Sequence, residues 1–183
     1  MAARDPRERA LLERITSLEA GQDRTALATV LGELVDYYWE VGRHESAEAP
    51  MLRRLALFQQ TRGPKHTTVA RCLHDLAFLY DKFGRDAAAE EFASRAMAMW
   101  SEIDGYANGH TCRMLELLAR LYARQARAEK LGALIGSAIG ELERTFPRGY
   151  HDPSLASLAN LLSDSTGATE LHDMGERIRA LLE

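Results

Sequence analysis

Three tyrosines stand 42 residues apart, Tyr38, Tyr80 and Tyr122, and each closes one pattern: Leu31-x-x-Leu34-Val35-x-x-Tyr38, Leu73-x-x-Leu76-Ala77-x-x-Tyr80 and Leu115-x-x-Leu118-Ala119-x-x-Tyr122. A fixed period of this size means one supersecondary unit copied and stacked, which constrains the architecture before any single residue is interpreted. The register extends beyond the tyrosines. Gly42 and Gly84 keep the same interval, Arg43, Arg85 and Arg127 fall in phase, and Ala47 answers Ala89.

Within a copy the apolar residues recur at i, i+3, i+4 and i+7 (Leu73, Leu76, Ala77, Tyr80), which is one face of a helix. After the Gly84-Arg85 break a second set, Ala89, Phe92, Ala93, Ala96 and Met97, does the same. The unit is therefore a helical hairpin, with the glycine suited to the left-handed residue that ends its first helix. At the N-terminus Leu11-Leu12-Glu13-Arg14-Ile15 parallels Met51-Leu52-Arg53-Arg54-Leu55, so the chain opens on half a unit. Asp5-Pro6-x-Glu8 supplies an N-cap acid, a first-position proline and a capping-box glutamate. The periodicity predicts helices over about 6–20, 24–41, 44–61, 66–83, 86–103, 108–125, 128–145, 153–165 and 168–182.

Residues 66–90 read His66-Thr-Thr-Val69-Ala70-x-x-Leu73-x-x-Leu76-Ala77-x-Leu79-Tyr80-x-x-x-Gly84-Arg85-x-x-x-Ala89-Glu90. This stretch resembles the tetratricopeptide repeat (TPR), in its long variety of about 42 residues found in kinesin light chains. The resemblance implies an all-α fold, a right-handed superhelical array of antiparallel helix hairpins, an α-solenoid of about nine helices. It implies a single domain over 1–183: a half repeat at 6–20, repeats at 24–62, 66–104 and 108–146, and a degenerate fourth at 152–183. Departures grow toward the C-terminus. Ala126 replaces the turn glycine, Leu131 the small alanine, and the fourth copy, from His151-Asp152-Pro153, is displaced by two residues.

With a formal net charge of -4 and a pI near 5.9, the chain lacks the basic excess of a nucleic-acid binder. Its basic residues are twenty arginines against three lysines, a bias that suggests a bacterial source with a GC-rich genome. No apolar run is long enough to insert in a membrane, and the start lacks a signal-peptide core, so a cytoplasmic location is expected. Cys72 and Cys112 read as small buried fillers rather than a bridge. His110-x-Cys112 offers two ligands where a metal site needs three or four, so no metal is expected. His66, His110 and His151 each open a repeat, where the resemblance implies a structural job at the turn. No phosphate loop, nucleophile elbow or His-Glu-x-x-His occurs, so neither a cofactor nor an enzymatic activity is expected.

In hairpin arrays of this family the first helix of each pair lines a concave groove. The resemblance therefore puts Thr29, Gly32, Glu33, Asp36, Trp39 and Glu40 there from the first copy. Arg71, His74, Asp75, Phe78, Asp81 and Lys82 follow from the second, and Arg113, Glu116, Leu117, Arg120 and Arg124 from the third. Trp39, Phe78 and the arginines have hot-spot chemistry, and the row runs from acidic to basic, a polarity that would orient an extended segment or helix. Glu33, Asp75 and Leu117 stand where the family often reads peptide backbone with asparagines.

Gly132, Gly136 and Gly140 form a stripe along one helix, at a cost of about 3 kcal/mol relative to alanine. Such a stripe either admits another helix, from this chain or from a second copy in a homodimer, or marks a fraying repeat. Pro50 predicts a slight kink in the second helix of the first repeat. The functional expectation is a non-enzymatic adaptor that binds a partner protein or peptide in its groove. The alternatives are a regulatory sensor of a small signalling peptide and, more distantly, a metal-binding or enzymatic helical protein.

Overall fold

The computed structural model describes residues 5–105, 108–145, 152–164 and 169–183. Among these residues the regular structure is all helical: α1 (Pro6–Gly21), α2 (Arg24–Glu40), α3 (Glu48–Arg62), α4 (Thr67–Lys82), α5 (Asp86–Asp104), α6 (Gly109–Arg124), α7 (Ala128–Thr145), α8 (Pro153–Ser163) and α9 (Thr169–Leu182). Most starts carry a local signal. The carboxylates of Asp5, Asp23 and Asp152 accept backbone N–H groups of Arg7, Ala26 and Ser154, and the Asn108 side-chain oxygen accepts that of Thr111. His66 has the structural job expected of it: its Nδ1 accepts the Thr68 N–H at 3.2 Å. His151 lies outside the described residues.

The ends of α2, α4 and α6 are equally regular. Arg43, Arg85 and Arg127 donate their backbone N–H to the carbonyls of Tyr38, Tyr80 and Tyr122 at 2.8, 2.9 and 2.9 Å. One residue earlier, Gly42, Gly84 and Ala126 donate to Trp39, Asp81 and Ala123. This is the Schellman motif, which needs a left-handed residue at the inner position. Gly42 and Gly84 supply it at φ of 74° and 66°, and Ala126 is forced into it at 54°.

The expected kink at Pro50 is corrected. The segment before it, His44–Ala47, winds as a 3-10 turn and α3 begins at Glu48, so Pro50 falls in the first turn of its helix. An N–H there has no intrahelical acceptor to lose, and the proline costs little.

The chain divides into two compact units, Met1–Arg85 and Asp86–Glu183. In the first, α1 packs on α2, α2 on α3 and α3 on α4. In the second, α5 packs on α6, α6 on α7 and α8, and α9 on both α7 and α8. Each unit alone has the neighbour-to-neighbour packing of a repeat stack.

Burial follows the period. All eight register residues, Leu34, Tyr38, Leu73, Leu76, Ala77, Tyr80, Leu118 and Tyr122, are buried. The helices α2, α4 and α6 bury more than half of their residues, whereas α3 buries only Pro50, Met51, Leu55 and Phe58. First helices are thus the inner layer of each pair. Cys72 and Cys112 are free and buried, as their register suggests, and burial pushes their thiols up to about 11 and about 12.

The glycine stripe of α7 divides. A Cβ at Gly132 would meet Leu171 at 3.9 Å and one at Gly136 would meet Met174 at 3.7 Å, both ordinary contacts with α9 of the same chain, while Gly140 faces open space. The glycine that packing does require is Gly175 on α9. A Cβ there would stand 3.0 Å from the Ala159 carbonyl oxygen and 3.1 Å from the Leu162 Cβ.

Candidate binding surface

A carboxylate links each of the first helices α2, α4 and α6 to the helix before it. Glu8 of α1 is almost fully buried, at 3% exposure; one oxygen accepts the Tyr38 hydroxyl at 3.1 Å and the other accepts Arg43 at 2.7 Å. The sequence reads Glu8 as a capping-box residue, and the structure gives it this tertiary role. Glu48 holds Tyr80 and Arg85 in the same way at 2.9 and 2.8 Å, and Glu90 holds Tyr122 and Arg127 at 3.2 and 2.5 Å. Each arginine also lies over its tyrosine ring, at 5.0, 5.9 and 4.8 Å from the centroid. The tyrosines and arginines stand out in the sequence by their period. Sequence reasoning misses the glutamates, although Glu48 and Glu90 directly follow the registered alanines Ala47 and Ala89.

These clasps fix how far each first helix is rotated, and so which side chains it presents. In the first unit Trp39 is partly exposed at the end of α2. Its ring lies 4.4 Å from that of His44, and the Lys82 Nζ, from α4, sits 4.8 Å from its centroid. The structure thereby brings two of the expected groove residues together. Phe78 is also partly exposed, and His74 lies 5.0 Å from it in a tilted ring pair. His74 itself is buried, so it supports Phe78 rather than presenting a surface.

Charges on the same face are partly consumed by neighbours. Glu33 and Glu40 form ion pairs with Arg14 and Arg7 of α1. Asp36, Arg71 and Asp75 are exposed on α2 and α4, and neither Asp36 nor Arg71 has an ion pair among the described residues. In the second unit Arg113, Arg120 and Arg124 are exposed along α6. Glu116 accepts the Ser157 hydroxyl at 2.9 Å and stands 3.9 Å from Arg120. Arg124 pairs with Asp86, and this bond, together with one from Gln125, holds the Asp86 carboxyl below the ordinary range.

Two expectations are therefore revised. Internal ion pairs take up much of the acid-to-base asymmetry read along the row. Leu117, expected on the groove surface, is fully buried, because α6 packs on α7 and α8 as well as on α5. The internal pairs are mostly exposed and screened by solvent, so they add little to stability and a partner's charges can exchange with them.

Among the described residues no three His, Cys, Asp or Glu side chains converge as a metal site requires, and no described helix is long and apolar enough to cross a membrane. On the faces of α2, α4 and α6 the partly exposed rings of Trp39 and Phe78 stand beside exposed charges, while the exposed large aliphatic residues among those described, Val41, Leu52 and Ile103, lie off those helices. Such a surface is suited to recognition of another chain.

Residues 26–102 match a family model described as the tetratricopeptide repeat. In fold, the chain is similar to the TPR-like, nearly identical repeats of a candidate kinesin light chain from Podosopora anserina. The TM-score is 0.64 at 16% identity, covering 96% of this chain and 94% of that one. A second structure of those repeats, carrying a single substitution, gives a TM-score of 0.65 at 15% identity, with coverage of 98% and 97%. BtubC (BKLC) from P. vanneervenii is similar with a TM-score of 0.64 at 18% identity, over 86% of this chain and 65% of that one. No curated protein is significantly similar in sequence.

Proposed function

We propose, from the match of residues 26–102 to the tetratricopeptide repeat model and the likeness in fold to kinesin-light-chain-like repeats, that this protein is a non-enzymatic interaction module that holds a segment of a partner protein. The repeat fold commonly serves protein–protein interaction, and the finer reading rests on the exposed first-helix faces. In the first unit the contacts are Trp39, Phe78, Asp36, Arg71, Asp75 and Lys82, with Glu33 and Glu40 released from α1 as a partner's charges arrive. In the second they are Arg113, Glu116, Arg120 and Arg124. On this reading the protein acts in the cytoplasm, away from nucleic acid and membrane.

The observation that carries the proposal is the setting of Trp39. A partly exposed indole with the His44 ring against it and Lys82 over its face is partly ordered before any partner arrives, which lowers the ordering cost of binding to it. Tryptophan and arginine are the residue types in which binding energy concentrates.

The test starts from a partner isolated by co-purification and then reconstituted from pure components. Trp39→Ala and Arg120→Glu should each weaken binding by at least about tenfold, the cost of losing a hot-spot contact, with helicity unchanged by circular dichroism. The Arg120 effect should shrink as salt rises, since exposed pairs are screened over about 8 to 10 Å. Unchanged affinity in both variants, with loss on substitution of the exposed faces of α3 or α7, would overturn the assignment to the first helices.

A further inference from the structure

One guanidinium in the first unit is seated but not satisfied. Arg54 leaves α3 and lies over Gly32 of α2: a Cβ built at Gly32 would stand 3.1 Å from its Cζ, 3.3 Å from Nη2 and 3.4 Å from Nε. Glycine at position 32 leaves room for that seat. A second support is Phe58, whose ring centroid is 5.3 Å from Cζ. Among the described residues the buried Nε has no hydrogen-bond partner, and no carboxylate pairs with the group.

An ordinary packing role would favour a side chain that buries no donor, because an unsatisfied buried N–H is costly. The site instead keeps a fixed, permanently charged fork. Its surroundings add to the positive field: Arg71 of α4 is exposed and also lacks an ion pair among the described residues.

We propose that Arg54, seated on Gly32, is an anion-binding subsite whose terminal nitrogens Nη1 and Nη2 take the carboxylate of an aspartate or glutamate side chain in the bound partner segment. The proposal rests on the reading that α2 and α4 face that segment. It adds the chemical demand that the segment be acidic where it crosses α2 next to Gly32. Planar, two-pronged recognition of a carboxylate is what the fork is shaped for.

The probe is hexaglutamate, with hexaglutamine and inorganic phosphate as comparison arms, titrated at low salt while the arginine Nε–H resonances are followed by NMR. The Arg54 signal should shift saturably with hexaglutamate and stay still with hexaglutamine. Arg54→Gln should weaken hexaglutamate binding at least fivefold, and Gly32→Ala, which dislodges the guanidinium while keeping the charge, should weaken it in the same direction. Thermal unfolding of both variants checks that they fold. An Arg54 signal unmoved at saturation, or an Arg54→Gln protein that binds as the wild type does, overturns the subsite. A shift with phosphate and none with hexaglutamate overturns the carboxylate assignment. If the subsite fails while Trp39→Ala still weakens binding of the purified partner at least about tenfold, the interaction surface stands and only Arg54 is removed from it.

Discussion

The Tyr80 hydroxyl donates to the Glu48 carboxylate at 2.9 Å across 32 residues of sequence, and the other oxygen of that carboxylate receives Arg85. The two donors flank a Schellman turn, so a single acid on the preceding helix fixes both the end of α4 and its rotation. Glu8 and Glu90 repeat the arrangement.

Burial sets the relative worth of these clasps. Glu8 is 3% exposed and its removal takes a buried hydrogen bond from the Tyr38 hydroxyl, so Glu8→Ala should destabilise by about 1–3 kcal/mol. Glu48 and Arg85 are more exposed, so Glu48→Ala should cost about 1 kcal/mol or less. Urea midpoints of the two variants check the order, and equal losses would show that burial is not the deciding factor.

Ala126 sits at φ 54° where the two earlier copies have glycine. A side chain in the left-handed region costs about 1–2 kcal/mol, and glycine returns part of that in unfolded-chain entropy. Ala126→Gly should therefore stabilise by about 1 kcal/mol, seen as a rise in melting temperature of about 2–4 °C for a chain of this size.

Two glycines should respond to the same substitution with opposite signs. Gly175→Ala drives a methyl to 3.0 Å from the Ala159 carbonyl oxygen and should destabilise the α8–α9 pair by about 1–3 kcal/mol. Gly140→Ala meets nothing within 4 Å and should stabilise α7 by about 1 kcal/mol. Calorimetry on the two variants separates a close approach from an open helix face.

Arg127 holds the Glu90 carboxyl below its ordinary value, with Lys130 and the Tyr122 hydroxyl assisting against a desolvation that pushes the other way. A carboxyl whose folded value is depressed contributes stability that is complete above the unfolded value, near 4.5, and is lost as pH falls through the lower folded one. Stability should decline on acidification below about pH 5, and Glu90→Gln should flatten that part of the profile while lowering the plateau at neutral pH.

Much of the fold is legible because the period is written in residues that must be buried. Tyr38, Tyr80 and Tyr122, with their leucines and alanines, are constrained together by stacking, so spacing alone locates the helices and their inner faces. Pro50 misleads because a proline in the first turn of a helix and one in its interior look alike until the 3-10 turn before it is known. Leu117 misleads because a third contact, with α8, widens the buried face of α6 beyond what its own repeat predicts. Arg54 escapes notice because nothing in sequence tells a snorkelling arginine from one lying on a glycine of the neighbouring helix; the signal is Gly32, an unexplained glycine inside α2.

The thiols of Cys72 and Cys112, held up to about 11 and about 12, should resist a thiol reagent in the folded protein under mildly alkaline conditions and react once it is denatured. Because these values are raised above the usual thiol range, stability should also fall as pH climbs past about 9, where the unfolded thiols ionise. Rapid labelling without loss of helicity would contradict their burial.

The glutamate clasp also says where a chain of this kind can be cut and rejoined. Each rung takes its acid from one helix and its tyrosine and arginine from the next along, with Glu48 and Glu90 one full 42-residue period apart. Duplication or deletion by a whole period returns every acid to a matching tyrosine and arginine, whatever the position of the break. A join out of phase strands a carboxylate in the stack, so such arrays can gain or lose length only in quanta of one repeat.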